Sequence, residues 1–226
     1  AAPNIVYVTQ NKDNSLYVSQ AGSNSSSAVQ IGGVMNNADI SQKGQNQSNV
    51  YQNGNYNSAK LSATGWHNSM VAASIGNNNS TSAYQNGNSN NAYLYQKGSS
   101  NTIGSNQDGK RNTEELVIIG GKNTLATFQN GNDNNIRTTV TGGSNLVNVL
   151  QDSSVNPLVP ALSKYENWAY VEQVGYNNSV NLRQIGEQNT SAVSAKGYAN
   201  ILDSRSAGYR NLSSANIEGN NNYAYI

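Results

Sequence analysis

The stretch that decides the fold is residues 85–96, which read QNGNSNNAYLYQ. Two Gln residues enclose a Gly, an Asn and an alternation of small or apolar with polar residues, in the pattern Gln-x-Gly-x-x-Asn-x-Ala-x-x-x-Gln. The Asn of this pattern, Asn90, recurs every 11 residues in both directions. A fixed period of this kind determines the architecture of a whole chain, so it takes precedence over any single segment.

Asparagine occupies every position of one 11-residue series between residues 46 and 222, although fewer than one residue in five is Asn. Chance cannot produce this series. We expect its members to stack as a buried amide ladder, because identical amides in adjacent strands hydrogen-bond to one another. The predicted ladder contains Asn46, Asn57, Asn68, Asn79, Asn90, Asn101, Asn112, Asn123, Asn134, Asn145, Asn156, Asn167, Asn178, Asn189, Asn200, Asn211 and Asn222.

Glycine forms a second series three residues before these Asn residues, and only Ser153 and Lys164 interrupt it. Before Asn46 it continues, offset by one, through Gly22, Gly33 and Gly44, which places a one-residue deletion between Gly44 and Asn46. Gly-x-x-Asn is therefore the predicted turn, because Gly adopts positive φ easily. The turn glycines are Gly54, Gly65, Gly76, Gly87, Gly98, Gly109, Gly120, Gly131, Gly142, Gly175, Gly186, Gly197, Gly208 and Gly219.

Between turns, small or apolar residues alternate with polar ones, which is typical of a strand with one buried face. The second and fourth residues after each Asn face inward, as Ala92 and Leu94 do after Asn90, and Glu114 is the one charged residue on an inward position. The sixth residue after each Asn, which also faces inward, is often Gln, and these residues should extend the amide ladder. They are Gln52, Gln85, Gln96, Gln107, Gln129, Gln151, Gln173 and Gln184.

Two half-repeats of 11 make a coil of 22 residues, strand–turn–strand–turn. The sequence therefore predicts an all-β fold, a single β-solenoid domain over residues 1–226 with about ten coils and two facing, parallel, in-register sheets. Coils about 4.8 Å apart give a column on the order of 50 Å tall. The segment at about 153–166 should be irregular, because it lacks both turn glycines and contains Pro157 and Pro160. It is either a coil that bulges outward or a gatekeeper that slows self-association.

Composition excludes several function classes. Charged residues are 11% of the chain and the formal net charge is +1, so we expect neither nucleic-acid binding nor membrane insertion. Hydrophobic residues are 35%, too few for a thick core. Cysteine is absent, which removes disulfides and thiolate metal sites. The longest apolar run, 116–119, is far too short to span a bilayer.

No constellation of residues indicates catalysis or cofactor binding. His67 is the one histidine, and it falls in a turn without the partners of a nucleophilic site. The carboxylates are scattered over outward and turn positions, without the paired spacing of glycosidases or the aspartate spacing of calcium-binding repeats. We therefore expect no enzyme activity, no catalytic residues, no cofactor and no metal.

The motif at residues 85–96, repeated at Gln173, Gly175, Asn178, Val180 and Gln184, resembles the curlin repeat. This resemblance extends over essentially the whole chain. It implies a secreted bacterial subunit that polymerises into extracellular curli-like amyloid fibres of a biofilm matrix at the cell surface. It also implies partners: identical subunits, a nucleating homologue and a secretion machinery. Whether the chain is a major subunit or a nucleator stays open.

The predicted junction between subunits joins the first and last coils. The lattice runs from the first residues to Ile226 without capping coils, and bare strand edges favour head-to-tail pairing. Asn14, Leu16 and Val18 should then continue the columns of Asn222, Ala224 and Ile226. An alternative is a monomeric solenoid adhesin or surface-binding protein. Outward tyrosines such as Tyr84, Tyr93, Tyr95 and Tyr170 could be adhesive or could simply favour a sheet surface.

Overall fold

A computed structural model describes residues 4–11, 13–31, 33–153 and 166–226, and these residues form strands and turns without any helix. The strands are β1 (Ile5–Gln10), β2 (Ser15–Gly22), β3 (Ser25–Ile31), β4 (Asn37–Asn53), β5 (Ser58–Asn77), β6 (Ser80–Asn88), β7 (Asn91–Ser99), β8 (Thr102–Lys110), β9 (Thr113–Gly121), β10 (Thr124–Asn132), β11 (Asn135–Gly143), β12 (Leu146–Asp152), β13 (Trp168–Tyr176), β14 (Ser179–Glu187), β15 (Thr190–Tyr198), β16 (Ile201–Tyr209), β17 (Leu212–Asn220) and β18 (Tyr223–Tyr225).

Most strands pair in parallel with the strand two places along the chain, and this pairing builds two sheets. The first sheet contains β1, β3 and the odd strands from β7 to β17, and the second contains β2 and the even strands from β6 to β18. The long strands β4 and β5 run round a corner and contribute to both sheets. Pairing is in register, as at Leu94 and Leu116. The β-solenoid prediction is confirmed, with about nine turns.

The core is a thin layer between the two sheets. The inward positions of each strand are buried and the outward ones are exposed or half-buried, as the burial pattern of β10 shows. Leu94, Ile103, Leu116 and Leu125 are fully buried at the centre of this layer. Parallel sheets are usually strongly apolar on both faces. Here only one face is covered, so period-2 alternation survives in the sequence.

The turns have left-handed backbone at two positions. All of the predicted turn glycines have positive φ. At Gly98, with φ of 127°, a Cβ would lie 1.8 Å from the carbonyl oxygen of Gly120 in the next coil. Gly98 is therefore required for two reasons. Its positive φ favours Gly, and the close stacking of the turns leaves no room for a Cβ. The residue directly before most ladder Asn residues is also left-handed, as at Ser100 with φ of 59°, and the sequence did not predict this second position.

The step is 20 residues between β1 and β3, and two further irregularities interrupt the 22-residue step along the rest of the chain. The register shifts between Gln45 and Asn46, which confirms the one-residue deletion predicted there. The second lies at 153–166, where β11 pairs with β13 and β12 with β14 over a step of 33 residues. One half-repeat is thus bypassed by both sheets. Pro157, Pro160 and Lys164 lie outside the described residues.

Candidate assembly ladders and end surfaces

Each ladder Asn links three consecutive coils. The backbone N–H and the side-chain Nδ2 of Asn123 both donate to Oδ1 of Asn101 in the preceding coil, each at 3.1 Å. The same Nδ2 also donates to the carbonyl of Gly142 in the following coil, at 2.9 Å. Oδ1 of Asn123 accepts two bonds from Asn145, both at 3.0 Å. The amide is therefore buried with all its hydrogen-bonding capacity satisfied, which removes the cost of burying a polar group.

The structure arranges these residues as two ladders, one at a corner of each sheet. The first contains Asn4, Asn24, Asn46, Asn68, Asn90, Asn112, Asn134, Asn167, Asn189 and Asn211. The second contains Asn14, Asn36, Asn57, Asn79, Asn101, Asn123, Asn145, Asn178, Asn200 and Asn222.

Three ladder members escape the 11-residue series, and one predicted member falls outside the described residues. Asn4, Asn14 and Asn36 belong to the ladders, but a step of 20 residues separates Asn4 from Asn24, and a step of 21 separates Asn36 from Asn57 and so shifts Asn14 as well. A strict period therefore loses these three. Asn24 is on the series, 22 residues before Asn46, but Met35 interrupts the series between them. Asn156 lies outside the described residues, and the ladder passes directly from Asn145 to Asn178. Both ladders thus take a step of 33 residues in the region where the sequence predicts an irregular coil.

Glutamine forms a ladder in the second sheet. The side-chain amides of successive glutamines bond over distances of 2.7, 2.8, 3.1 and 2.8 Å. The run contains Gln85, Gln107, Gln129, Gln151 and Gln184. Gln20 and Gln42 form a similar pair at 2.9 Å, which the sequence did not predict. The sheet thus has an amide ladder along the inner face in addition to the one at its corner.

The first sheet differs: Gln52 lies in register with Gln30 in the preceding coil, but Gln96 and Gln173 have no Gln neighbour, so the predicted stacking is wrong at these two positions. Gln96 lies between Ser74 and Ile118, and Gln173 between Val140 and Ala195. Their side-chain amides donate instead to backbone carbonyls, at 2.7 and 3.2 Å. Their Oε1 atoms are buried without a hydrogen-bond partner among the described residues. Gln52 likewise donates to a backbone carbonyl, at 3.0 Å, and faces Ser74 in the following coil.

Glu114 is buried in the core, as its inward position predicts. Its carboxyl group contacts the hydroxyl of Ser105 and accepts a hydrogen bond from Thr127 Oγ1 at 2.8 Å. Its in-register neighbours, Ala92 and Ile136, carry no charge. Burial raises the pKa of Glu114 to about 7, and the two hydroxyl groups oppose this rise only in part. The acid is thus close to half-protonated at neutral pH.

The two end coils present complementary groups. In the interior, the residue after each ladder Asn donates its N–H to the Asn carbonyl of the following coil, as Ile201 does to Asn222 at 2.8 Å. Leu212 and Tyr223 hold this position in the last coil, with no following coil within the chain. At the other end, Asn4 and Asn14 begin the two ladders. The last coil therefore presents backbone donors and Asn Oδ1 acceptors, and the first presents the groups that would pair with them.

The predicted junction residues lie at these two ends. Leu16, Val18 and Ala224 are half-buried and pack against the core, whereas Ile226 is 42% exposed. The outermost strand β1 is exposed along its whole length. Apolar side chains at both ends thus lie in the same columns as the core but are covered on one side only.

The outer faces are polar with scattered aromatic rings. Tyr84, Tyr93 and Tyr170 are exposed, as predicted, while Tyr95 is half-buried. Three outward cations pair with an acid one coil away. Arg111 lies 2.6 Å from Asp133, Arg137 3.2 Å from Glu115, and Lys196 3.5 Å from Glu172. Such exposed pairs contribute little to stability individually, but they arrange charge along the faces.

Residues that could carry other chemistry are dispersed. His67 is exposed in a turn with φ of 59°. Within the described ranges, no three His, Cys, Asp or Glu side chains come close enough to hold a metal ion. The same ranges contain no helix that is long and apolar enough to cross a membrane.

Comparison with known proteins identifies the repeat. Residues 76–112 match the family model described as the curlin associated repeat, which confirms the resemblance of this chain to that repeat. A search of curated proteins found no match. Among solved structures, the polySia specific acetyltransferase NeuO is 19% identical, with 86% of this chain and 82% of that chain covered and a TM-score of 0.23. At that TM-score the likeness carries no argument about fold or activity.

Proposed function

We propose that this chain, a solenoid that contains a curlin associated repeat, is a structural subunit. It would stack head to tail into curli-like extracellular amyloid fibres. The observation that carries this proposal is the pair of Asn ladders, which run the length of the described chain and present complementary groups at its two ends. A second molecule placed against the last coil would extend both ladders, both sheets and the core in the same register.

The register of the proposed junction follows from the ladders. Asn211 of one subunit would precede Asn4 of the next, and Asn222 would precede Asn14. The backbone N–H groups of Leu212 and Tyr223 would then donate to the carbonyls of Asn4 and Asn14 in the next subunit, as equivalent groups do in the interior coils. Such a contact is heterologous and does not close, so it produces a filament.

Core columns continue across the same junction. Ala224 would stack on Leu16 and Ile226 on Val18, while Tyr225 would lie over Tyr17 on the outer face. The apolar side chains at the ends are only partly covered within one molecule: Val8 is 50% exposed and Ile226 42%. Their burial supplies a driving force of about 25 cal/mol per Å² of apolar surface.

The proposed location and partners follow from the curlin repeat. The fibre would be extracellular, at the bacterial cell surface, and part of a biofilm matrix. Its partners would be identical subunits, a nucleating homologue and a secretion machinery, with the role of nucleator as an alternative for this chain. The proposed role is structural and includes no catalytic step.

A monomeric adhesin or surface-binding protein is the second candidate. Such a protein would present a regular outward column of one residue type. The outward position three residues after each ladder Asn of the second sheet instead runs through Lys60, Ser82, Gly104, Ala126 and Asn148. This mixture favours the fibre.

Assembly of the purified chain tests the proposal. Diluted from denaturant at neutral pH, the chain should form fibres spontaneously, and preformed fibre fragments should abolish the lag in thioflavin-T fluorescence. The fibres should resist detergent, since the ladder hydrogen bonds are continuous. A chain that folds yet stays monomeric for days at high concentration, as measured by size-exclusion chromatography, would favour the adhesin and refute the fibre.

A further inference from the structure

The outer face of the second sheet contains a groove that the fibre does not use. It runs across β10, β12, β14 and β16, between two rows of outward side chains, and has a volume of about 420 Å³. This volume lies within the range of small-molecule sites. Head-to-tail stacking would leave the sheet face exposed, so the groove would remain accessible in an assembled fibre.

The groove is apolar at one end. Phe128 and Leu150 are in-register neighbours on one wall, and Ala126 lies on the other wall. Phe128 is 37% exposed. Ala126 continues in register to Gly104, whose Cβ position is open, with no atom within 4 Å. Apolar side chains therefore line both walls at the β10 end of the groove, and the hydrogen-bonded amides of Asn148 and Asn181 line the next part of the second wall.

The other end of the groove is cationic. Arg183 follows Leu150 in the same row, and Arg205 follows Arg183 one coil further on. Like charges on directly neighbouring strands are destabilising. Arg205 is partly neutralised, because its Nη2 lies 3.0 Å from Asp203 Oδ2 and its guanidinium lies 5.6 Å from the centroid of the Tyr225 ring.

Arg183 has no acidic partner among the described residues, unlike Arg205, which follows it in the same row. The Arg183 side chain is exposed beside this second arginine. An anion at this point would relieve the repulsion between the two guanidinium groups and could form the bidentate contact that arginine favours.

We propose that the groove binds a monomeric straight-chain carboxylate, with the carboxylate at Arg183 and the hydrocarbon chain over Leu150, Phe128 and Ala126. A straight chain fits because the groove follows the solenoid axis over four strands, which is about 14 Å at the spacing of a sheet. The order of the walls, cationic and then apolar along one row, matches a ligand with one charged end. The proposal is independent of assembly, since all the residues belong to one subunit.

Calorimetric titration of the folded chain with decanoate, below the concentration at which decanoate forms micelles, tests this proposal. Arg183→Gln should weaken binding about tenfold or more, and Arg183→Lys should retain most of it. Leu150→Asn should weaken decanoate binding as well. Lys60→Gln is the matched control, since it removes an outward cation from the same sheet outside the groove, and it should leave the affinity unchanged. Circular dichroism of each variant verifies the fold.

Three results would overturn the proposal. The first is equal affinity of the Arg183→Gln and Lys60→Gln variants for decanoate. The second is equally tight binding of decyltrimethylammonium, which carries the same chain with the opposite charge. The third is binding to vesicles of anionic phospholipid without any binding of monomeric decanoate, because the face would then be a membrane contact.

Discussion

Asparagine suits the ladder because its amide is short enough to reach its own turn and both adjacent coils. Asn123 takes part in five hydrogen bonds of this kind. Asn123→Ala would leave the buried donors of Asn145 and the acceptor of Asn101 with fewer partners. We expect a loss of about 1–3 kcal/mol in the free energy of unfolding. Lys60→Ala, on an outward position, should change it by no more than about 0.5 kcal/mol. Equal effects in chemical denaturation would contradict the burial of the ladder.

The turn glycines are required by contact between coils. Gly98→Ala would place a Cβ 1.8 Å from the Gly120 carbonyl oxygen, at a φ of 127°. The turn must then move, and we expect a loss well above the roughly 1 kcal/mol that an ordinary Gly substitution changes. Gly104→Ala is the matched control, because open space surrounds that position and its φ is ordinary. Equal stability of the two variants in thermal denaturation would show that contact between coils does not require Gly98.

Glu114 should make the stability of the fold depend on pH. Its pKa is raised from 4.5 to about 7 in the folded chain, so the folded state binds its proton more tightly than the unfolded state does. The contribution of Glu114 to the free energy of unfolding is therefore fully present below about pH 4.5 and is lost as the pH rises through about 7. The loss amounts to about 3 kcal/mol, from 1.36 kcal/mol per pKa unit.

Glu114→Gln should remove this pH dependence, because the amide keeps a similar shape and a hydrogen-bonding group without a titrating proton. Urea denaturation of both proteins at several pH values between 4 and 8 measures the effect. The same decline in stability with pH in the variant would show that other groups cause it.

At the scale of elements, the sequence predicts the strands and turns well, because alternation and the Gly-x-x-Asn turn recur at nearly every half-repeat. It does not show which half-repeats become adjacent. The Asn series continues through Asn156 without a visible break, yet the ladder joins Asn145 to Asn178. A bypassed half-repeat preserves the spacing and changes only the pairing, so the sequence period cannot reveal it.

The same limit explains the Gln ladder. A series read along the chain places Gln85 and Gln96 side by side, although they belong to different sheets. Only the 22-residue step decides which residues touch, and at that step Gln96 meets Ile118 whereas Gln85 meets Gln107. Steps shorter than 22 hide Asn4 and Asn36 in the same way.

Removal of residues 154–164 should be tolerated. Ser153 and Asn167 would then lie three positions apart, as a turn residue and its ladder Asn do elsewhere, and every step through this region would be 22 residues. We expect the free energy of unfolding to stay equal or to rise by about 1 kcal/mol, because a connection between paired strands becomes shorter. Circular dichroism and denaturation measure this.

A deletion that breaks the lattice is the control for this experiment. Loss of residues 116–121 removes more than half of β9 and part of its turn, and it should prevent folding of the central coils. Unfolding of the 154–164 deletion to the same extent would show that the bypassed half-repeat is needed for the fold.

At the scale of the whole molecule, the central claim is that subunits join end to end in the register of the ladders. Tyr17 in β2 and Tyr225 in β18 lie at opposite ends of the second sheet and are exposed. In the proposed stack they become in-register neighbours, about 4.8 Å apart at Cα, which is within the range that a disulfide can bridge. The chain contains no other cysteine that could interfere.

Oxidative cross-linking of a Tyr17→Cys, Tyr225→Cys double variant therefore tests the claim most directly. Head-to-tail stacking predicts a series of covalent multimers after assembly, resistant to denaturant and lost on reduction. A Tyr17→Cys, Tyr84→Cys variant, with its second cysteine on the outer face at mid-sheet, should yield no such series. Fibres that form without cross-linking of the first pair, or that cross-link both pairs equally, would contradict end-to-end stacking in this register.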